Sequence, residues 1–167
     1  MTNSGENTVS IINTSTDTVI TNVTVRNRPY GIAVNLEGTR VYVANYNDRS
    51  VSVIDTATDT VITNVTVGNH PYGIAVNPEG TNVYVANYGD DTISIIDTSI
   101  NKAIDKVTVN STPKGVAVNP EGTNVYVANN GDDTVSIIDT TTKSVTNVGV
   151  GTKPIAFGQF IGSPPAK

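Results

Sequence analysis

The chain has 167 residues, a formal net charge of −5, one histidine, and neither cysteine nor tryptophan. Disulfides, thiolate chemistry and two-histidine metal sites within one chain are therefore excluded. The acidic balance argues against general affinity for nucleic acid or anionic membranes. The polar N-terminus predicts no signal peptide in this chain, and no apolar run is long enough to predict membrane insertion.

A repeat of 42 residues organises the sequence. The last interval is one residue shorter than the others, and the missing residue lies between Asp139 and Pro154. A fixed period of this length predicts a repeat architecture, here within a single domain covering residues 1–167. The landmark residues are Pro29, Pro71, Pro113 and Pro154 at one position of the repeat, and Val9, Val51, Ile93 and Val135 at another.

Each repeat predicts four short strands. The turns between them carry the residues that turns favour, in the sequences NPEG, NYGDD and DTSIN. The segments are rich in β-branched residues and show no sustained helical period, so the sequence predicts an all-β protein. In the second repeat the predicted strands are Pro71–Val76, Asn82–Asn87, Thr92–Asp97 and Lys102–Val109.

The apolar pattern within each repeat predicts the architecture. The first three strands are apolar on both faces, so their sheet must be covered on both sides. The fourth strand is more polar, and the first is small on one face, with Gly73 and Ala75 in the second repeat. A sheet with small residues at one edge and polar residues at the other is wedge-shaped. Wedge-shaped sheets packed around an axis predict a β-propeller with the PxGIAV strand innermost.

Three repeats predict complete blades, over residues 29–67, 71–109 and 113–150. The two ends of the chain predict a fourth, composite blade. Residues 1–25 supply its outer strands, and residues 154–162 supply its innermost strand. Phe157 and Phe160, the two phenylalanines of the chain, are expected to fill the core of this composite blade.

The repeat PYGIAVNPEGTNVYVANYGDDTISIIDTSINKAI resembles the YVTN-type β-propeller repeat of archaeal surface-layer proteins and bacterial secreted or periplasmic propellers. The resemblance covers nearly the whole chain. It implies a protein of the cell surface or the extracellular space that works as a scaffold or interaction module, with a surface protein or glycan as partner. Because propellers carry many activities, the resemblance is stronger for fold than for function.

The loops that precede the innermost strands, called the leading loops below, differ most between repeats. These loops contain basic residues and no acidic residue. This composition predicts a cationic mouth of the central channel that binds an anionic ligand or polymer. Solvated loops without a ligand are the alternative. The candidate ligand-binding residues of the loops and adjoining strand starts are Arg26, Arg28, Tyr30, His70, Tyr72, Lys114 and Lys153. The opposite end is expected to be anionic, with Glu37, Glu79 and Glu121.

Catalytic chemistry is not predicted by these residues. His70 is the only imidazole, and no GxSxG motif is present. The turns at Asp90–Asp91 and Asp132–Asp133 lack the spacing of a calcium loop. The sequence therefore predicts a protein that is not an enzyme, with no metal and no cofactor.

The number of blades predicts an oligomer. Three complete blades and one composite blade make four, whereas propellers with the resembling repeat usually have seven. Two chains that complete each other's composite blade would close an eight-bladed ring, so a homodimer is expected. A four-bladed monomer and a fragment of a longer propeller are the alternatives.

Overall fold

A computed structural model describes residues 1–156 and residue 161 of the chain. Strands provide all the regular secondary structure in this part of the chain, which confirms the all-β prediction. Within the same residues, no helix has the length and apolar character needed to cross a membrane.

The strands form four antiparallel sheets, one for each repeat. The first sheet contains β1 (Thr2–Asn3), β2 (Thr8–Asn13) and β3 (Thr18–Thr24). The second contains β4 (Pro29–Val34), β5 (Arg40–Asn45), β6 (Ser50–Asp55) and β7 (Thr60–Thr66). The third contains β8 (Pro71–Val76), β9 (Asn82–Asn87), β10 (Thr92–Asp97) and β11 (Lys102–Thr108). The fourth contains β12 (Pro113–Val118), β13 (Asn124–Asn129), β14 (Thr134–Asp139) and β15 (Val145–Gly149).

The outermost strand carries a β-bulge in three of the four sheets. The pairing register shifts between Ile11 and Ile12, between Val53 and Ile54, and between Ile95 and Ile96. The β14–β15 pairing runs without a shift. The residue missing from the last repeat is therefore the bulge residue, which a deletion can remove without disturbing the ladder.

The sheets pack face to face, and each interface holds its own hydrophobic core. Val43 and Ile54 pack against Val9 of the first sheet, and Tyr84 and Ile95 contribute to the core with the fourth sheet. Because a middle sheet buries both of its faces, its first three strands are largely apolar on both sides, as the sequence predicts for a β-propeller.

The innermost strands approach each other closely. A Cβ atom added at Gly31 or Gly73 would collide with a carbonyl oxygen of the next innermost strand, that of Tyr72 or Lys114. A Cβ atom at Gly115 would meet the carbonyl of Ala156 in the same way. Glycine is therefore required where the wedges converge, and Ala156 occupies the place of the next innermost strand beside Gly115.

The composite blade is described in part. The described part of this blade is the three-stranded sheet of β1, β2 and β3. The Thr2 hydroxyl donates a hydrogen bond to the carbonyl of Tyr30 in the next blade at 2.9 Å. Most of the innermost strand expected over residues 154–162, including Phe157 and Phe160, lies outside the described residues.

Candidate ligand-binding site

The leading loops lie at the same end of the molecule as the turns between the second and third strands. The peptide N–H of Tyr46 donates to the carbonyl of Arg28 at 3.0 Å, and that of Tyr88 donates to the carbonyl of His70 at 3.1 Å. Each leading loop is thereby tied to a turn of its own blade. Side chains from both kinds of segment therefore share one face, called the mouth below.

Aromatic rings from two neighbouring blades form a continuous surface at the mouth. The Tyr46 ring stacks on His70, with 4.6 Å between centroids, and meets Tyr30 edge to face at 5.3 Å. Tyr30 stacks on Tyr72 at 4.9 Å, and Tyr72 lies 6.4 Å from Tyr88. These separations are those of favourable aromatic pairs, so the rings hold each other in place.

Two cations lie over this aromatic surface. The guanidinium carbon of Arg28 is 5.4 Å from the ring centroids of both Tyr30 and Tyr46. The ammonium of Lys114 is 5.7 Å from the centroid of Tyr88. Neither cation forms an ion pair with an acid among the described residues. Their charges are therefore positioned by cation–π contacts and remain available to an anion.

These residues are treated below as one unit, the aromatic–cationic cluster. Its members come from three consecutive blades. They are Arg28, Tyr30, Tyr46, His70, Tyr72, Tyr88 and Lys114.

Two tyrosines of the cluster have raised pKa values. Burial raises the pKa of Tyr46, and the neighbouring Tyr88 adds to the effect, whereas Arg28 opposes it. Burial likewise raises the pKa of Tyr72, with Tyr30 adding to it and Arg28 opposing it. Both phenols therefore keep their protons at neutral pH.

His70 occupies an exposed but fixed position. Its ring packs over Gly89 so closely that a Cβ atom there would lie 2.6 Å from Nδ1. The loop that carries it is anchored at Gly68, whose N–H donates to the buried Asn87 side chain at 3.1 Å. Asn87 in turn donates to Ser94 at 2.9 Å. The loop that carries the exposed imidazole is thus anchored to a buried hydrogen-bond network.

Acidic residues of the mouth bind the loop backbone. Asp90 accepts a hydrogen bond from the N–H of Asn69 at 2.9 Å, and Asp132 accepts one from the N–H of Ser111 at 2.6 Å. These carboxylates hold the leading loops in shape. Their negative charge reduces the positive potential that the basic residues alone would create at this face.

Five of the seven sequence-predicted site residues belong to the cluster, and two lie apart from it. Arg26 lies 3.9 Å from Asp48, with which it forms an exposed ion pair. Lys153 is exposed, and its backbone N–H donates to Asp133 at 2.7 Å. No described aromatic ring lies under its side chain.

Sequence reasoning missed Tyr46 and Tyr88. Both follow the last asparagine of a second strand, in segments that were interpreted only as turns. A signal was nevertheless present, because the third repeat has Asn130 where the second has Tyr88. Asn130 donates to the carbonyl of Pro154 instead, at 3.3 Å.

The opposite end of the blades has a different composition. Arg40 pairs with Asp55 there at 2.6 Å, and Glu79 accepts a hydrogen bond from Asn77 at 2.9 Å. Glu37 lies beside Gly80, and Glu79 lies beside Gly122. The described residues contain no group of three or more acids and histidines that could hold a metal ion.

An apolar groove runs along the innermost strands between the two ends. A cavity of about 290 Å³ next to the mouth is lined by Tyr30 and Ala156, among others. A second cavity, of about 510 Å³, extends to Leu36, Pro78 and Pro120 at the far end. The two cavities are adjacent, since Ile32, Ile74 and Val116 line both.

The sheets and their packing define a β-propeller, with the aromatic–cationic cluster at its mouth. The chain belongs to the family described as "Lactonase, 7-bladed beta-propeller", whose family model matches residues 58–153. The matched range includes His70, Tyr72, Tyr88 and Lys114, while Arg28, Tyr30 and Tyr46 precede it. No curated protein matches the chain.

Solved structures also resemble this chain. A structure titled Kuenenia stuttgartiensis Hydrazine Synthase aligns with a TM-score of 0.81 and 29% sequence identity. The alignment covers 87% of this chain and 44% of that chain. The chain thus spans less than half the length of the protein it matches.

The sequence-based prediction that the protein is not an enzyme is contradicted. The family is named for a lactonase, and the matching structure is titled as a synthase. The prediction rested on the single imidazole and on the absence of a GxSxG motif, both taken from the linear sequence. A propeller instead assembles its mouth from short loops of several blades, so a motif search along the sequence does not detect such a site.

Proposed function

We propose that the aromatic–cationic cluster binds a small anionic substrate and that the protein hydrolyses a cyclic ester there. The observation that carries this proposal is the position of Arg28, held over two tyrosine rings without an acidic partner among the described residues. An anion bound beside it gains charge-assisted hydrogen bonds, with phenol groups as further donors. The family name supplies the reaction class.

The chemistry needs few groups. Water attacks the ester carbonyl, the ring C–O bond breaks, and a hydroxycarboxylate leaves. In this proposal His70 takes a proton from the attacking water and returns it to the ring oxygen. Arg28 binds the anionic group of the substrate, and Lys114 stabilises the negative charge that develops on the carbonyl oxygen.

Hydrolysis of a lactone panel, followed by proton release, tests the proposal. Carboxylate-bearing lactones are compared with neutral ones of the same ring size. We expect Arg28→Gln to raise KM for the anionic lactones about tenfold or more, since it removes a hydrogen bond to a charged group. We expect His70→Asn to lower kcat about a hundredfold. Lys102→Gln, an exposed charge at the opposite end, is the matched control.

Two results would overturn the proposal. One is a panel in which no lactone is hydrolysed above the buffer rate and no carboxylate binds. The other is hydrolysis that His70→Asn and Arg28→Gln leave unchanged, since the activity would then come from another site or from a contaminant.

The setting of this activity is proposed from the repeat resemblance. Surface-layer and secreted proteins carry repeats of this kind, which supports activity at the cell surface or outside the cell. Fractionation of the native cells with an antibody against the protein tests this. Detection only in the cytoplasmic fraction would contradict it.

A further inference from the structure

We infer that the ligand of the mouth is an amphiphile, whose anionic head binds the aromatic–cationic cluster and whose unbranched apolar tail lies in the groove. This inference rests on the proposed function, because the cluster positions the head. It adds the class of molecule, which neither the family description nor the matching structure states.

Continuity between the two sites is the first support. Tyr30 belongs to the cluster and also lines the cavity next to the mouth. From there the groove is lined by Ile32, Ile74 and Val116, which it shares with the larger cavity. A ligand held at Arg28 can therefore extend from the mouth along these apolar residues. The volumes of about 290 and 510 Å³ are of the size used for small molecules.

The charge at the far end is the second support. Glu37, Glu79 and Glu121 belong to the NxEG turns at that end, next to Pro78 and Pro120 of the groove lining. A second anionic group there would be repelled and would lose its hydration. The geometry therefore favours a molecule with one charged end and disfavours a dicarboxylate or a polyanion along the groove.

The branched side chains of the lining favour a slender tail. Isoleucine and valine residues from three adjacent innermost strands, Ile32, Ile74 and Val116, line the groove. Each methylene group that such a groove removes from water strengthens binding about fourfold. Affinity should therefore depend on chain length until the tail reaches the turns at Pro78 and Pro120.

Calorimetric titration with a series of linear monocarboxylates, from acetate to decanoate below micellar concentrations, tests the inference. We expect acetate to bind weakly and in a manner that depends on Arg28, with about fourfold tighter binding for each added methylene. α,ω-Dicarboxylates of the same length should bind at least tenfold more weakly than the monocarboxylates.

A pair of variants at the far end provides a matched control. Pro78→Glu places a carboxylate beside the tail, whereas Pro78→Leu introduces the residue that the first complete blade carries as Leu36. We expect Pro78→Glu to weaken decanoate binding about tenfold and to leave acetate unchanged. Pro78→Leu should leave both unchanged.

The outcomes separate the inference from the proposed function. Arg28-dependent acetate binding without any increase along the series would overturn the inference alone. No acetate binding, or chain-length-dependent binding that Arg28→Gln does not affect, would overturn the proposed head site and the inference with it. Equal effects of Pro78→Glu and Pro78→Leu would also overturn the inference.

Discussion

Asp91 accepts a hydrogen bond from the peptide N–H of Thr112, in the leading loop of the next blade, at 2.7 Å. Asp133 holds Lys153 in the same way at 2.7 Å, and Asn7 holds Arg28 at 2.8 Å. Each held residue precedes a proline and has a positive φ, which is costly for residues other than glycine. The hydrogen bonds therefore stabilise a strained loop shape that every blade interface uses.

The contribution of this hydrogen bond can be measured at Asp91. We expect Asp91→Ala to lower the free energy of unfolding by about 1–2 kcal/mol more than Arg49→Ala does. Arg49 occupies the same position one repeat earlier, with nearly the same φ, so its variant measures the backbone effect without the hydrogen bond. Urea unfolding gives both values. Equal losses in the two variants would show that the hydrogen bond contributes nothing.

The leading loop of His70 is the exception among the loops held by these hydrogen bonds. Arg49 lies where the other blades have Asn7, Asp91 and Asp133, and an arginine side chain cannot accept a hydrogen bond from the N–H of His70. We expect Arg49→Asn to supply the missing acceptor and to stabilise the protein by about 1 kcal/mol. Amide hydrogen exchange at His70 should slow in this variant. Unchanged exchange at His70 would contradict the expectation, and Arg49→Leu serves as the charge control because its side chain has no acceptor.

Much of the fold could be predicted because the same pattern of strands and turns recurs in each repeat. Pro71–Val76, Asn82–Asn87 and Thr92–Asp97 begin and end where the sequence predicts, and the fourth strand ends one residue earlier. Gly73 marked the innermost strand correctly, since close approach of strands requires the absence of a side chain. The shortened interval before Pro154 also indicated where the last repeat lacks a residue, which is the bulge residue of its outermost strand.

The site could be predicted only in part. Arg28, His70 and Lys114 were found because charged residues in variable loops stand out in an aligned repeat. The stacking of Tyr46 on His70 joins the turn of one blade to the leading loop of the next, and this contact depends on the packing of blades. The ion pair of Arg26 with Asp48 could not be predicted, because Asp48 lies in a turn distant in sequence.

The close approach of the innermost strands makes Gly73 intolerant of a side chain. We expect Gly73→Ala to destabilise the protein by about 1–3 kcal/mol, because the new methyl group must displace the carbonyl of Lys114. Gly149→Ala is the control, since a Cβ atom at that strand position meets nothing within 4 Å. Thermal unfolding of both variants measures the difference. A Gly73→Ala protein as stable as Gly149→Ala would contradict the packing of these strands.

Acid should weaken the loop that carries His70. The backbone hydrogen bond from Asn69 is the main cause that lowers the pKa of Asp90 below its ordinary value of 3.8, and Lys106 contributes as well. A carboxyl group with a lowered pKa in the folded state stabilises the protein at higher pH, and this contribution is lost as the pH falls below about 3.8.

The isosteric variant Asp90→Asn tests this contribution. We expect it to cost about 1 kcal/mol at pH 7, and the difference from the wild type should shrink as the pH falls from 4 to 2. Asp17→Asn controls for the general effect of removing one negative charge. A difference that stays constant over this range would show that the ionised form of Asp90 does not contribute to stability.

The exposed apolar surface of the first complete blade predicts self-association. Ile32 is 38% exposed, whereas its equivalents Ile74 and Val116 are 8% and 5% exposed. Val34 is 54% exposed, against 5% for Val118. The residues at these positions are alike in the three blades, so the difference in exposure arises from the position of the blade. We therefore expect a second copy of the chain to cover β4. In such a ring the groove would become one wall of a channel that is still open at the mouth.

Light scattering on a sizing column measures this directly. We expect a mass of twice 17.5 kDa that persists on dilution. Val34→Asp should shift the mass towards one chain, because it places a charge in the apolar contact. Ile104→Asp, at an exposed position on an outermost strand, should leave the mass unchanged. A mass of 17.5 kDa at every concentration would contradict the pairing, and the exposure of Ile32 and Val34 would then belong to the free protein.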